Sequence, residues 1–445
     1  MSDAPAPIGS RIAAALWRTP WLYGWMVACA ALVPILSFRK QSESMGCYLP
    51  ASHRVLEAQS LPGPEWWVYP PAFTAPVLPL AMLPVPLARV LWCVMLVTSA
   101  VLAVRAIWNA LMLDARFRAA VQVPWKFFLF GGLLALSSVG HTIVPLGYQA
   151  HDVVVFMLVA LGAWFSASAA VGHGQIARCE RQAGVTFGLA ASFKVMPVLF
   201  LPVLAAQRRW RACVAMAITG VVVAIGFDLL AWLFTGQTHF VAWLRLAAQG
   251  GDLTASGGGR WAPWNPLNQS GTGILTRLMV PTPTDRGLDY ECMLVAVGDG
   301  GRRIVLAVWI LAMTSTLLWF CWGTARRIAT RVSASCESAS LWAIASVGAT
   351  ACTYVLIAPH SSNYHFAPVA IAAAAMLGWM LTRGLDAWMV ICIGVMILIE
   401  LIPGRDVIGG RLADIKLAYG SVGICAFMAM LGALCVMVRA SRSAA

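Results

Sequence analysis

Five stretches of this chain hold side chains able to move protons or grip anions, and the rest is largely apolar. RKQSESMGCYLPASHRVLEAQ (39–59) carries Glu43, Tyr48, His53 and Glu57. GYQAHD (147–152) sets Gln149 and His151 beside Asp152, and WAPWNPLNQSGTGILTRL (261–278) holds Asn265, Asn268, Gln269 and Arg277. APHSSNYHF (358–366) adds His360, Asn363, Tyr364 and His365. GVTFGLAASFKVMPVLFLPVLAAQ (184–207) puts Lys194 and Pro197 in the middle of an apolar run. A carboxylate with a pKa near ~4 is ionised at neutral pH and can take a proton from an attacking hydroxyl. Fixed cations and donors stabilise the anion that builds on a leaving group. Glu43 is the first candidate base and Asp152 the second. Lys194, Arg277, His360 and His365 are the candidate cations or donors, with Gln149, His151, Asn268 and Gln269 as hydrogen-bonding partners.

Plainer readings stand beside these. GYQAHD is also a polar helix cap by composition, NPLNQS a turn, and the two histidines of APHSSNYHF interfacial residues. Lys194 either pairs with Asp228 inside the bilayer or faces a bound anion, because an unpaired ammonium there costs several kcal/mol. The chain has no Asp-x-Asp or Glu-x-Asp pair and no His/Cys ligand spacing, so neither a metal nor another cofactor is expected.

The elements that must position these groups are membrane helices. Of 445 residues, 60% are hydrophobic and 11% charged, more apolar surface than a soluble domain can hide. Apolar windows of roughly 18–22 residues fall near 21–38, 87–108, 127–146, 151–170, 212–235, 304–325, 340–358, 366–382, 385–402 and 418–438. The run at 184–207 reads as two half-helices meeting at Lys194 and Pro197. Together they make about twelve membrane helices in an all-α polytopic fold. Arg11 and Arg18 precede a full-length apolar segment, so the first helix is read as retained rather than cleaved.

The basic residues set the sidedness. With the N-terminus inside, one face collects Arg105, Arg116, Arg118, Lys126, Arg178, Arg181, Arg208, Arg209, Arg211, Arg326, Arg327, Arg331, Arg383, Arg439 and Arg442. The net charge of +13 is thus a topology signal, and nucleic acid is not an expected partner. This holds only if EWWVYPPAFTAPVLP (65–79) stays outside. Its prolines forbid a continuous helix and its aromatics suit the headgroup level, whereas a short kinked span there would invert every later loop. The polar clusters then share the outer face. Most of the twelve cysteines lie in apolar spans, and only Cys47 and Cys292 fall where an oxidising compartment could pair them.

The order of these pieces resembles glycosyltransferase family 87. The similarity rests on YPP (69–71), RQAGVTFGLAASFKVMPVLFLPVLAAQRRWRA (181–212), LNQSGTGILTR (267–277) and APHSSNYHF, and runs over roughly residues 20–382. It implies a GT-C fold over 21–438, between cytoplasmic tails at 1–20 and 439–445. A first outer loop at 39–86 would carry juxtamembrane helices, and a second, long outer loop would span 236–303. It implies a hexose, mannose first, moved from a polyprenyl-phosphate sugar to a lipid or glycan acceptor, with membrane lipids as neighbours. The cavity would face the periplasm of a bacterial inner membrane, Tyr69 would position the lipid, and one direct attack would invert the anomeric centre. The sequence departs from the family at two places. The family's D-x-x-x-Y aspartate is replaced by Ser44, with Glu43 one position earlier, and Gly-Gln-x-Asn becomes Tyr148-Gln149-Ala150-His151 followed by Asp152. A pentose or glucose donor, a lipid-linked sugar flippase and a non-catalytic lipid-sugar binder are the alternatives.

Overall fold

Apolar residues fill most of this chain, and in a bilayer they can only be buried or lipid-facing as helices that satisfy their own backbone. A computed structural model describes residues 20–38, 43–59, 69–172, 175–250, 265–281, 293–329, 338–402 and 405–443. In chain order the helices are α1 (Pro20–Phe38), α2 (Glu43–Leu56), α3 (Leu78–Ala81), α4 (Val85–Leu111), α5 (Ala115–Val121) and α6 (Pro124–Gly147). Next come α7 (Asp152–Ala170), α8 (Ile176–Phe193), α9 (Phe200–Ala206), α10 (Trp210–Thr235), α11 (Phe240–Gly250) and α12 (Gly271–Met279). The last are α13 (Asp299–Ala329), α14 (Ala339–Ile357), α15 (Val369–Arg383), α16 (Ala387–Leu401), α17 (Arg405–Ala418) and α18 (Ser421–Ser443). No strand occurs among the described residues.

Among these residues 9 helices are long and apolar enough to cross a membrane, so the chain is an integral multi-pass membrane protein. The observed helices overshoot most of the apolar windows, because hydropathy sees only the greasy middle of a helix. The window 304–325, for example, becomes 31 residues of α13. Helix α16 has only 15 residues, shorter than the ~20 that an upright span needs.

Helix α14 is the axis of the bundle. Every residue from Ala339 to Leu356 is buried, and α7, α13, α15 and α18 all pack against it. Its Ala, Ser, Gly and Thr content lets neighbouring backbones come close, which is how helices associate where no hydrophobic drive separates lipid from protein. Helices α8 and α10 use the same device at Gly184 and Gly188. A Cβ at either glycine would run into the carbonyls of Ala212 or Met216.

The run 184–207 breaks where the proline and lysine said it would. Lys194 ends α8 in an extended conformation (φ −153°, ψ 123°), and a 3-10 turn at Met196–Leu199 leads into α9. The aromatic-proline segment, described from Tyr69 onward, is a 3-10 turn at Pro71–Thr74 followed by the four residues of α3. Tyr69 and Phe73 lie against His151 and Tyr48, so the segment stays at one end of the bundle. At other loop positions Arg383 pairs with Asp114 at 2.8 Å and Arg439 with Asp386 at 3.0 Å. These four residues belong to connections or helix ends that the charge pattern assigns to the opposite, arginine-rich side.

Candidate functional site

The turn joining α6 to α7 is strained and held from three sides. Gln149 adopts a left-handed backbone (φ 56°), uncommon for a residue with a Cβ. Its side-chain amide donates to the Leu36 carbonyl at 2.7 Å, and its own carbonyl accepts from the Trp92 indole at 2.8 Å. This brace aims the next three residues into the bundle, and it occupies the Gln149 amide, read in the sequence as a donor-site contact, with a backbone carbonyl. Strain that the surroundings over-determine is a frequent companion of function.

Asp152, first residue of α7, sits where the helix dipole favours a carboxylate. Its Oδ1 accepts from the Lys194 ammonium, and both side chains are buried. Lys194 therefore pairs with Asp152 and not with Asp228, whose carboxylate accepts from the backbone N–H of His239 (2.6 Å) and Phe240 (2.9 Å) and caps α11. The broken helix explains the pairing. An extended residue at the end of α8 carries the lysine out of the helical ladder toward the start of α7, which packs beside it.

Two histidines flank the pair. The Nδ1 of His365 accepts from the Ser362 backbone N–H at 3.3 Å, so in the neutral ring the proton sits on Nε2. That Nε2 lies 4.0 Å from Asp152 Oδ1, beyond hydrogen-bond reach but close enough for the two to act on one group. His151 Nδ1 shares a 2.8 Å hydrogen bond with the Tyr48 hydroxyl and stands 3.9 Å from Asp152 Oδ2. Burial pushes His151 down to about 4, Asp152 opposing this and Lys194 adding to it, so the ring is neutral at physiological pH. Tyr69 and Phe73 box the ring at centroid distances of 4.3 and 4.1 Å. Burial, with Tyr48 close by, raises the Tyr69 phenol well above its usual value, so it remains a neutral group. Two atoms of this cluster are buried without a hydrogen-bond partner among the described residues, Asp152 Oδ2 and His151 Nε2. Buried polar atoms are rarely left so.

The NQS stretch is arranged differently. Asn268 Oδ1 accepts from Ser361 N–H (3.1 Å) and the Ser270 hydroxyl (2.8 Å), and its amide donates to Pro359 O at 2.9 Å. Gln269 donates to the carbonyls of Pro266 and of Leu417 (2.7 Å) and accepts from Val422 N–H at 3.3 Å. Arg277, 1% exposed, donates to the carbonyls of Ala418 (2.9 Å), Asn265 (2.8 Å) and Asn268 (2.8 Å). These three side chains form a clasp joining α12, the turn before His365, and the junction of α17 with α18. Asn268, Gln269 and Arg277, read in the sequence as sugar or phosphate contacts, here meet backbone groups, because loop carbonyls at this depth need donors that water cannot supply. His360 lies half-buried at the clasped turn. Glu43 opens α2, and its side chain lies outside the described residues, as does Cys292. Tyr48, on that same helix, was noted in the sequence without a role. The family's tyrosine-bearing first-loop pattern was the signal that could have given it one.

Among the described residues, one group of possible metal ligands converges, His141, Glu400 and Cys425, with the His141 ring 6.2 Å from that of Phe366.

The model of one family, glycosyltransferase family 87, matches residues 67–313, more than half of the chain. The chain belongs to glycosyltransferase family 87. It is therefore a membrane glycosyltransferase, working with a sugar donor, an acceptor and surrounding lipid. No curated protein and no solved structure matches it. The family 87 match takes in Tyr69, Gln149, His151, Asp152, Lys194, Asn268, Gln269 and Arg277. It leaves Glu43, Tyr48, His360 and His365 outside.

Proposed function

We propose that this family 87 enzyme transfers a hexose, mannose first, from a polyprenyl-phosphate sugar to a lipid or glycan hydroxyl. The site would open to the outer, periplasmic face of a bacterial inner membrane, the side opposite the arginine-rich loops. The observation that carries the reading is Asp152 Oδ2, a buried carboxylate oxygen with no hydrogen-bond partner among the described residues, on a group whose other oxygen is held by Lys194.

Asp152 is assigned as the base. The acceptor hydroxyl oxygen forms a bond to the anomeric carbon while its proton passes to Oδ2. The bond from the anomeric carbon to the phosphate oxygen breaks, and its electron pair leaves with the polyprenyl phosphate. One displacement inverts the anomeric centre. Lys194 has three N–H donors, so it can hold Asp152 and still reach a phosphate oxygen. The His365 Nε2–H supplies a second donor, and both interactions strengthen as charge moves onto the leaving group. Tyr48, Tyr69 and Phe73 give the sugar and the first prenyl units an aromatic wall.

The test is to incubate purified protein with short-chain polyprenyl phosphates bearing mannose, glucose or a pentose and follow them by mass spectrometry. Consumption of a hexosyl donor with release of free polyprenyl phosphate is expected, mannosyl fastest. Movement of labelled lipid-linked sugar across proteoliposomes with no donor consumed would replace transferase by flippase.

A further inference from the structure

We propose that His141, Glu400 and Cys425 form a second site, one that binds a divalent metal ion of the zinc class as a brace behind the catalytic turn. The three residues come from three helices, α6, α16 and α18. One ligand atom from each lies within 4.8 Å of the other two.

The approach of the first two is unusual. His141 Nε2 is 3.0 Å from Glu400 Oε1, yet this buried nitrogen makes no hydrogen bond among the described residues. The ring is not aimed along the line to the carboxylate. Two ligands aimed at a common third point behave this way. With metal bonds of about 2.0 Å, tetrahedral geometry separates a nitrogen and an oxygen by about 3.3 Å. The carboxylate is also seated on purpose: Gly140 lies under it, and a Cβ there would collide with Glu400 Oε2. His141 is 3% exposed and Cys425 0%. A carboxylate among membrane helices is costly unless something answers its charge.

Nitrogen, oxygen and sulfur together suit zinc, which takes all three donor types and leaves a fourth position for water. On binding, the Cys425 thiol gives up its proton and the sulfur closes toward the other two ligands, so carboxylate and thiolate balance the divalent charge. Lys416 is the competing answer to Glu400. Its ammonium donates to the Ile402 carbonyl at 2.9 Å, two residues beyond the glutamate. The imidazole of His141 faces Phe366 at 6.2 Å, and Phe366 is the neighbour of His365. A metal here would fasten α6, α16 and α18 behind the turn that presents His365, without touching the reaction.

The whole protein in detergent, reduced and stripped with chelator, is titrated with Zn2+ and with Co2+. Binding of one metal per chain is expected, with a thiolate-to-cobalt charge-transfer band beside the tetrahedral d–d bands. Zn2+ should also raise the melting temperature, as ligand binding to the native state must. Cys425→Ser, nearly isosteric, should keep the d–d bands and lose the charge-transfer band. Glu400→Gln should weaken binding at least roughly tenfold, and Lys416→Met should tighten it. Wild-type protein that takes up no Zn2+ and gives no cobalt band overturns the proposal. So does a charge-transfer band that survives Cys425→Ser. A Lys416→Met variant that only loses stability would make the lysine the partner of Glu400, and the proposal would fall.

Discussion

The Asp152 cluster and the Asn268–Gln269–Arg277 clasp are alike in burial and polarity, and they differ in what their side chains hold. In the clasp, amides and a guanidinium meet backbone carbonyls and N–H groups from three segments. In the cluster, ionisable and aromatic side chains meet one another, Lys194 on Asp152 and Tyr48 on His151. The first pattern ties backbone segments together, and the second sets proton-carrying groups side by side. Their connection explains why both are needed, since Asn268 and Gln269 hold the Pro359–Ser361 turn and His365 follows on the same stretch.

The sharpest break of this contrast is between Lys194→Ala and Arg277→Met. Lys194→Ala should lower turnover by about a thousandfold or more, the size of removing a preorganised charge from a transition state. Its melting temperature should fall as well, because the buried Asp152 carboxylate loses its cation, so turnover is read per folded molecule. Arg277→Met strips the donor from two buried carbonyls and a part-buried one, each buried one worth about 1–3 kcal/mol. Low yield and a melting temperature lower by many degrees are therefore expected, while any folded fraction binds donor normally. If Arg277→Met were stable and inactive, the clasp would belong to the substrate site.

A smaller effect separates presenting a donor from capping a turn at His365. Glutamine places its amide nitrogen near Nε2, whereas asparagine can place its amide oxygen near Nδ1, where it accepts from Ser362. His365→Gln should keep turnover within about tenfold, and His365→Asn should lose about a hundredfold, the range of one transition-state hydrogen bond. If the imidazole served only to accept from Ser362, asparagine would do at least as well in kcat and melting temperature.

The smallest effect is one of pH. His151 has a folded-state pKa of about 4, below the ~6.5 of an unfolded chain. Between those values the unfolded state binds more protons, so stability falls as pH drops through that window and is complete above it. The melting temperature in detergent should decline from pH 7 to pH 5 in the wild type, and less steeply in His151→Gln.

Much of the scaffold could be read in the sequence because apolar runs and prolines act locally. The helix break at Lys194 and the short 3-10 turn at Pro71–Thr74, in place of a continuous α-helix, both follow from residue types a few positions apart. The site was readable only as a set of clusters. Nothing local says that Lys194 meets Asp152, 42 residues away, and not Asp228. Nothing local says that Gln269 will find the carbonyl of Leu417, 148 residues on. Donors that serve backbone and donors that serve sugar are the same residue types, so composition could not separate them. The S-x-x spacing that makes Ser270 the N-cap of α12, its hydroxyl accepting from Gly273 N–H at 3.0 Å, was a legible hint that the NQS turn is structural. His141 and Glu400 went unnoticed because hydropathy windows average a single polar residue away.

The central proposal is that Asp152 is the base that takes the acceptor's proton, and a single-turnover assay tests it most directly. Saturating polyprenyl-phosphate mannose and an acceptor would be given to wild type, Asp152→Asn and Glu43→Gln in parallel. The account predicts a rate lower by about a thousandfold for Asp152→Asn with donor affinity unchanged, and at most a few-fold loss for Glu43→Gln. Wild-type turnover by Asp152→Asn, with Glu43→Gln inactive, would contradict it and move the base to the first loop.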